Sequence, residues 1–110
     1  MVAWQKAMTL VESIYRLTGQ FPKEEIYSLT AQMRRAAISV PSNIAEGQGR
    51  ESRNEFRHHV TVSQGPLNEL ETQMLVADRL GYVDHEKVEE LFTLTSEVGR
   101  ILFGLRKSLR

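Results

Sequence analysis

Apolar residues recur along this chain at the three-and-four spacing of an α-helix, in four blocks separated by glycine, proline and polar residues. In the first block Trp4, Ala7, Met8, Val11, Ile14, Tyr15 and Thr18 share one face, and Leu10 and Leu17 widen it. That pattern predicts a first helix over about residues 3 to 18, ended by Gly19 in the left-handed conformation that glycine adopts without a Cβ clash. The second helix is predicted to start at Pro22, with Glu24 and Glu25 at the positive end of its dipole. Its inner face would be Ile26, Leu29, Met33, Ala36 or Ala37, Val40 and Ile44, a row that passes straight through Pro41. The proline removes a backbone donor and crowds the Ala37 carbonyl, costing about 3 kcal/mol unless relieved, so a bent but unbroken helix is expected. Ser39, Ser42 and Asn43 surround the bend and are candidates to bond the freed carbonyl.

Gly47 and Gly49 mark the end of the second helix, and Ser52-Arg53-Asn54-Glu55 reads as a capping box that opens the third. Two long helices joined by so few residues are predicted to lie antiparallel and adjacent. The third helix carries Phe56, Val60, Ser63, Leu67, Leu70, Met74 and Ala77 inward, with a second bend expected at Gly65-Pro66. It should close at Leu80-Gly81-Tyr82 in a Schellman turn, with Tyr82 packing back on the last turn. Asp84 is the expected N-cap of a fourth helix, whose inner row is Val88, Leu91, Leu94 or Thr95, Val98, Ile101 or Leu102, Leu105 and Leu109. Phe92 and Phe103 widen its apolar arc, which points to a second contact surface. Gly99 and Gly104 inside it are read as places of close backbone approach, with a fraying end as the alternative for Gly104. The fold class is therefore all-α, an antiparallel up-down-up-down four-helix bundle, with residues 1–110 as one domain.

Composition narrows the functional classes. The 110 residues carry 14 Lys and Arg against 14 Asp and Glu, for a formal net charge of zero, so bulk attraction to phosphate is absent and only local segregation can supply it. There is no cysteine, hence no disulfide framework, thiolate metal site or thiol nucleophile. The start, Met1-Val2-Ala3-Trp4-Gln5-Lys6, lacks an apolar signal core, and no apolar run reaches the roughly 20 residues of a membrane span, so the expected location is cytoplasmic.

The motifs Arg34-Arg35-Ala36-Ala37, Pro41-Ser42-Asn43-Ile44-Ala45-Glu46-Gly47, Arg53, Glu55-Phe56, Gly65, Leu67, Glu69-Leu70-Glu71-Thr72-Gln73 and Leu80-Gly81-Tyr82 occur in that order. In these the chain resembles the bacterial four-helix bundle proteins encoded in intervening sequences of large-subunit ribosomal RNA genes, over almost its whole length. Relatives include the accessory variability determinant of diversity-generating retroelements, a nucleic-acid-binding partner of a reverse transcriptase. The resemblance implies an up-down-up-down bundle, a ring-like homopentamer, and RNA, DNA or a protein such as a reverse transcriptase as partner. It implies no enzyme and no cofactor. Pro66 departs from the serine usual after the third-helix glycine, so a sharper bend is expected there.

Charge is unevenly placed. Arginines outnumber glutamates between Arg34 and Arg57, the span from Glu69 to Glu90 is acidic, and Arg106, Lys107 and Arg110 are basic. In an up-down-up-down bundle the end of the second helix, the start of the third and the end of the fourth share one pole, so one basic and one acidic pole follow. Repeated around a ring, the basic pole would become an annulus for phosphates. Arg50, Arg53 and Arg57 are the leading candidate contacts, joined by Arg34 and Arg35. The competing reading is a solvated helix end, with Glu46 and Arg50 as an i,i+4 pair, whereas Arg53 and Arg57 at the same spacing repel mildly and leave room for an anion.

Two further classes stand beside this one. The acidic region bearing Glu86, Glu89 and Glu90 would serve a protein-interaction scaffold with no nucleic-acid role. Glu55-Phe56-Arg57-His58 is one Glu-x-x-His, which di-metal bundles carry twice; His85 lacks the matching glutamate, so no metal site is expected. Gly47-Gln48-Gly49 follows a helix and lacks the Lys-Ser/Thr of a phosphate loop, and nothing orders Ser, His and Asp as a triad.

Overall fold

The computed structural model describes all 110 residues and contains four α-helices and no strand. They are α1 (Val2–Thr18), α2 (Leu29–Gln48), α3 (Arg53–Arg79) and α4 (His85–Ser108), with a single 3-10 turn at Lys23–Glu25 before α2. α1 packs on α2 and α4, α2 on α3, and α3 on α4, while the diagonal pairs do not approach. Side-chain links fix the direction of α1 against α2 and of α3 against α4. Arg34 near the start of α2 reaches Thr18 at the end of α1, and Arg53 at the start of α3 reaches Ser108 at the end of α4. Every neighbouring pair is antiparallel, as the short connections predict.

Twenty-one buried apolar residues drawn from all four helices form one core. The inward rows of α2, α3 and α4 agree with the helical spacing: Met33, Val40, Ile44, Val60, Leu70, Met74, Val98 and Leu102 are fully buried. α1 differs. Its buried row is Ala3, Ala7, Leu10, Ile14 and Leu17, whereas Trp4, Met8 and Tyr15, expected inside, lie on the surface. Both rows are apolar at helical spacing, and the one containing two alanines allows α1 to settle closer to its neighbours.

The start of α2 also departs from expectation. Pro22 heads only one 3-10 turn, Ile26 is exposed, and the helix proper begins at Leu29. The cause is Glu25. Its carboxylate accepts the Ser28 hydroxyl at 2.7 Å and the Leu29 N–H at 3.3 Å, supplying the cap that restarts the helix there. Gly19 is right-handed, with φ −62°, instead of left-handed; α1 unwinds through successive i→i−3 bonds from Gln20 to Leu17 and from Phe21 to Thr18.

Both proline-containing helices run unbroken through Pro41 and Pro66. The polar side chains around Pro41 do not bond the Ala37 carbonyl: Asn43 donates to Ser39 at 2.8 Å and Ser39 to Arg35 at 2.9 Å. A helical side chain reaches the carbonyl four residues back, and the position that would reach Ala37 is the proline itself.

The third helix ends as expected. Gly81 takes φ +74°, Tyr82 N–H bonds the Ala77 carbonyl and Gly81 N–H the Asp78 carbonyl, each at 3.0 Å, which completes a Schellman motif. In α4, a Cβ on Gly99 would meet Leu67 at an ordinary 3.5 Å and one on Gly104 would meet nothing, so neither glycine marks close approach. Gly47 does, as described below.

Candidate nucleic-acid interface

The α2–α3 corner is built by close packing and one cap. A Cβ on Gly47 would lie 2.6 Å from the His59 Cβ and 3.1 Å from the Phe56 ring, so only glycine allows α3 to lie this close to α2. Ser52 then opens α3, its hydroxyl accepting the Glu55 N–H at 3.1 Å. Only this half of the expected box forms, because no bond returns from the Glu55 side chain to the Ser52 amide. A shallow open depression of about 350 Å³, lined by Arg50, Asn54, Glu55, His58 and His59, lies over the corner.

Three of the five candidate arginines are brought to this pole and two are not. Arg50 pairs with Glu46 at 2.8 Å, the i,i+4 contact expected from the spacing. Arg53 donates to the Ser108 carbonyl at 2.7 Å, capping the last turn of α4. Arg57 is half-buried, and its Nε is shielded from solvent with no acceptor. Arg34 and Arg35 lie some fifteen residues before the corner, about 22 Å along α2. Arg34 is engaged at the opposite end of the molecule: its Nε donates to the Thr18 hydroxyl at 2.8 Å and its guanidinium lies 4.5 Å over the Tyr15 ring. Arg35 stays exposed.

The end of α4 adds to the corner what Arg34 and Arg35 do not. Arg106 is half-buried, stacked 5.5 Å over Phe103, and its Nε is likewise shielded without an acceptor. Lys107 lies 5.6 Å over the same ring, and Arg110 is exposed. Of the cations Arg50, Arg53, Arg57, Arg106, Lys107 and Arg110, only Arg50 has a carboxylate within 4.0 Å.

The opposite pole carries Glu24, Glu25, Asp78, Asp84, Glu86, Glu89 and Glu90, of which Glu25, Asp78, Glu89 and Glu90 have partners within the protein. His85 Nδ1 lies 2.8 Å from Asp78 and Nε2 2.9 Å from Glu89. The Asp78 hydrogen bond, then the two nearby negative charges, hold its pKa above the ordinary 6.5. The Tyr82 hydroxyl donates to Glu25 at 2.8 Å. Hydrogen bonds from Ser28, Tyr82 and the Leu29 amide lower the Glu25 pKa below 4.5, and the Glu25 carboxylate raises that of Tyr82 above 10.0. No group of three or more His, Cys, Asp or Glu is arranged to hold a metal ion, and no helix is long and apolar enough to cross a membrane.

Residues 1–104 match the family model for the 23S rRNA-intervening sequence protein. The chain belongs to that family. The fold has a solved counterpart in a protein of unknown function from the S23 ribosomal protein family of Bacteroides thetaiotaomicron VPI-5482, with a TM-score of 0.88 over 96% of each chain at 22% identity. No curated protein matches the sequence. For this family member, then, the fold is shared at an identity that carries no site residues with it, and the charged groups must be read from their own surroundings. Sequence reasoning foresaw the corner and its cap. It missed the links at long separation, Arg34 to Thr18, Tyr82 to Glu25 and Arg53 to Ser108, for which no local signal exists. The basic residues at the end of α4 were legible, but not that Arg106 would be left without an acceptor.

Proposed function

We propose that this protein binds nucleic acid without catalysing a reaction. The partner is a structured RNA or a DNA–RNA hybrid, and the contacts run from the basic pole to backbone phosphates without reading base sequence. The observation that carries the reading is the pair Arg57 and Arg106, two half-buried guanidiniums on α3 and α4 with shielded Nε donors and no carboxylate partner. The Nε atoms are too enclosed for a ligand to reach, so the contacts fall to the Nη donors of the same two guanidiniums, which have no carboxylate partner and suit a phosphate oxygen. Arg50 and Arg53 flank them, each using part of its donor set on Glu46 and on the Ser108 carbonyl. Family membership supports a connection to ribosomal RNA genes. The family resemblance supports a cytoplasmic homopentamer, in which the pole repeats around a ring and several weak contacts act together.

The deciding experiment is titration of the purified protein into a structured RNA and a matched duplex DNA at several salt concentrations. A steep fall of affinity with salt, with a slope reporting the number of phosphates engaged, is the expected result. No binding to either ligand at low salt would end the proposal. A second reading, a protein-interaction scaffold, draws on the exposed Glu86, Glu89 and Glu90 at the other pole. It predicts a protein pull-down that survives nuclease treatment and is lost when those three charges are reversed.

A further inference from the structure

The outer face between α1 and α2 carries a groove of about 490 Å³ that the basic pole does not use. Tyr15, Ile26 and Ile38 line it, and all three are 40% exposed or more. Its lining includes the small residues Ala31, Ser39 and Ser42, and its cations are Arg34 and Arg35; no carboxylate lines it. Trp4 and Met8, displaced from the core by the rotation of α1, extend the Tyr15 row along the same helix. From Trp4 to Tyr15 the row spans about 16 Å, or three helical turns.

We propose that this groove docks an amphipathic, acidic helix of a partner protein, its apolar residues at i, i+3 or i+4 and i+7 seated against Tyr15, Ile38 and Met8 and its carboxylates meeting Arg34 and Arg35. Three observations select this occupant. The aromatic ring and arginines of the lining, with Met8 next along α1, match the bias of protein interfaces, and the small side chains Ala31, Ser39 and Ser42 leave room for a helix axis to approach. An all-helical molecule has no sheet edge to which an extended peptide can add, and a groove between two helices suits an amphipathic helix laid along it. Charge then fixes the sign. Arg34 is held in place by Thr18 and by Tyr15, a pre-organised cation with no carboxylate near it, so the complementary partner is acidic. Nucleic acid fits less well, since Tyr15 is the one aromatic ring in the lining and Arg34 already covers one of its faces, while Ile26 and Ile38 offer no stacking surface.

The test pans a phage-displayed library of helix-forming peptides on the intact protein, with counter-selection against the Met8→Glu/Ile38→Glu variant. Expected is a family of peptides with apolar residues at helical spacing and Asp or Glu on one flank. A synthetic copy should gain helicity on binding and lose at least about tenfold in affinity to Arg35→Glu as well as to Met8→Glu/Ile38→Glu. All three substituted positions are exposed; should the double variant fold poorly, Arg35→Glu alone carries the comparison. Absence of a consensus, or a basic flank, overturns the proposal. So does a change in the assembly's mass by light scattering in the double variant, which would put a second copy of this chain in the groove. Loss of RNA affinity in Arg35→Glu equal to that in a corner variant would place the groove within the nucleic-acid surface instead, and would also overturn it.

Discussion

The two ends of this bundle hold similar numbers of charged side chains and treat them in opposite ways. At the acidic pole four of the seven carboxylates find donors inside the protein: His85 lies between Asp78 and Glu89, Tyr82 and Ser28 bond Glu25, and Lys87 lies 3.8 Å from Glu90. At the basic pole one cation in six has a carboxylate partner, and Arg57 and Arg106 keep shielded donors unused. The difference teaches that net charge is the wrong descriptor for this chain. A formal sum of zero hides one end whose charges serve the fold and another whose charges are left over for something else.

The largest expected effect is on binding. Arg57→Glu with Arg106→Glu should weaken RNA affinity by at least about 100-fold at low salt, because two cations become two anions in every subunit that faces the ligand. Arg50→Glu with Arg53→Glu should follow, with assembly unchanged and only a small loss of stability, about 1 kcal/mol, from the lost Glu46 pair and Ser108 cap. At physiological salt, reversal of Glu86, Glu89 and Glu90 should change RNA affinity by less than about threefold, since the poles of a molecule 43 Å long are then separated by several screening lengths of about 8 Å. Equal effects at the two poles, measured by fluorescence anisotropy, would erase the contrast.

A second expectation concerns how firmly the basic pole is built. Gly47→Ala gains about 1 kcal/mol of helix propensity, yet its Cβ would sit 2.6 Å from that of His59, and such overpacking costs about 1–3 kcal/mol. Backbone against side-chain root leaves no flexible end to move, so a net loss of about 1 kcal/mol is expected in chemical denaturation. A net gain would show that α2 and α3 part easily at the corner.

The smallest effects are at the acidic pole and depend on pH. The raised pKa of His85 gives a contribution that is full below its ordinary 6.5 and fades as pH rises through the folded value. Glu25, with a lowered pKa, contributes fully above 4.5 and loses that contribution as pH falls through its folded value. Both operate together between about pH 4.5 and 6.5. His85→Gln should therefore lower Tm relative to the parent at pH 5.5 more than at pH 9, and a difference independent of pH would show that His85 acts by packing alone.

Much of the architecture was legible because it is periodic and local. The rows of α2, α3 and α4, the Ser52 cap and the Gly81 turn each announce themselves within a few residues. α1 was misread where periodicity is degenerate: two apolar rows share that helix, and which one turns inward is decided by the neighbours it meets. The start of α2 was misread because Glu25 caps from the side chain three residues before Ser28, a role that composition does not reveal. Of the candidate contacts, Arg50, Arg53 and Arg57 follow from the corner alone. The engagement of Arg34 with Thr18, sixteen residues earlier, needed the antiparallel register.

That register has an electrical consequence. With neighbours alternating in direction, each pole combines two helix starts and two helix ends, about half a positive charge for each start and half a negative charge for each end. The backbone's own polarity cancels at both ends of the molecule. Whatever potential a ligand feels on approach is therefore written entirely in side chains, on a scaffold that is electrically blank, and it can be rewritten by surface substitution without disturbing the bundle beneath.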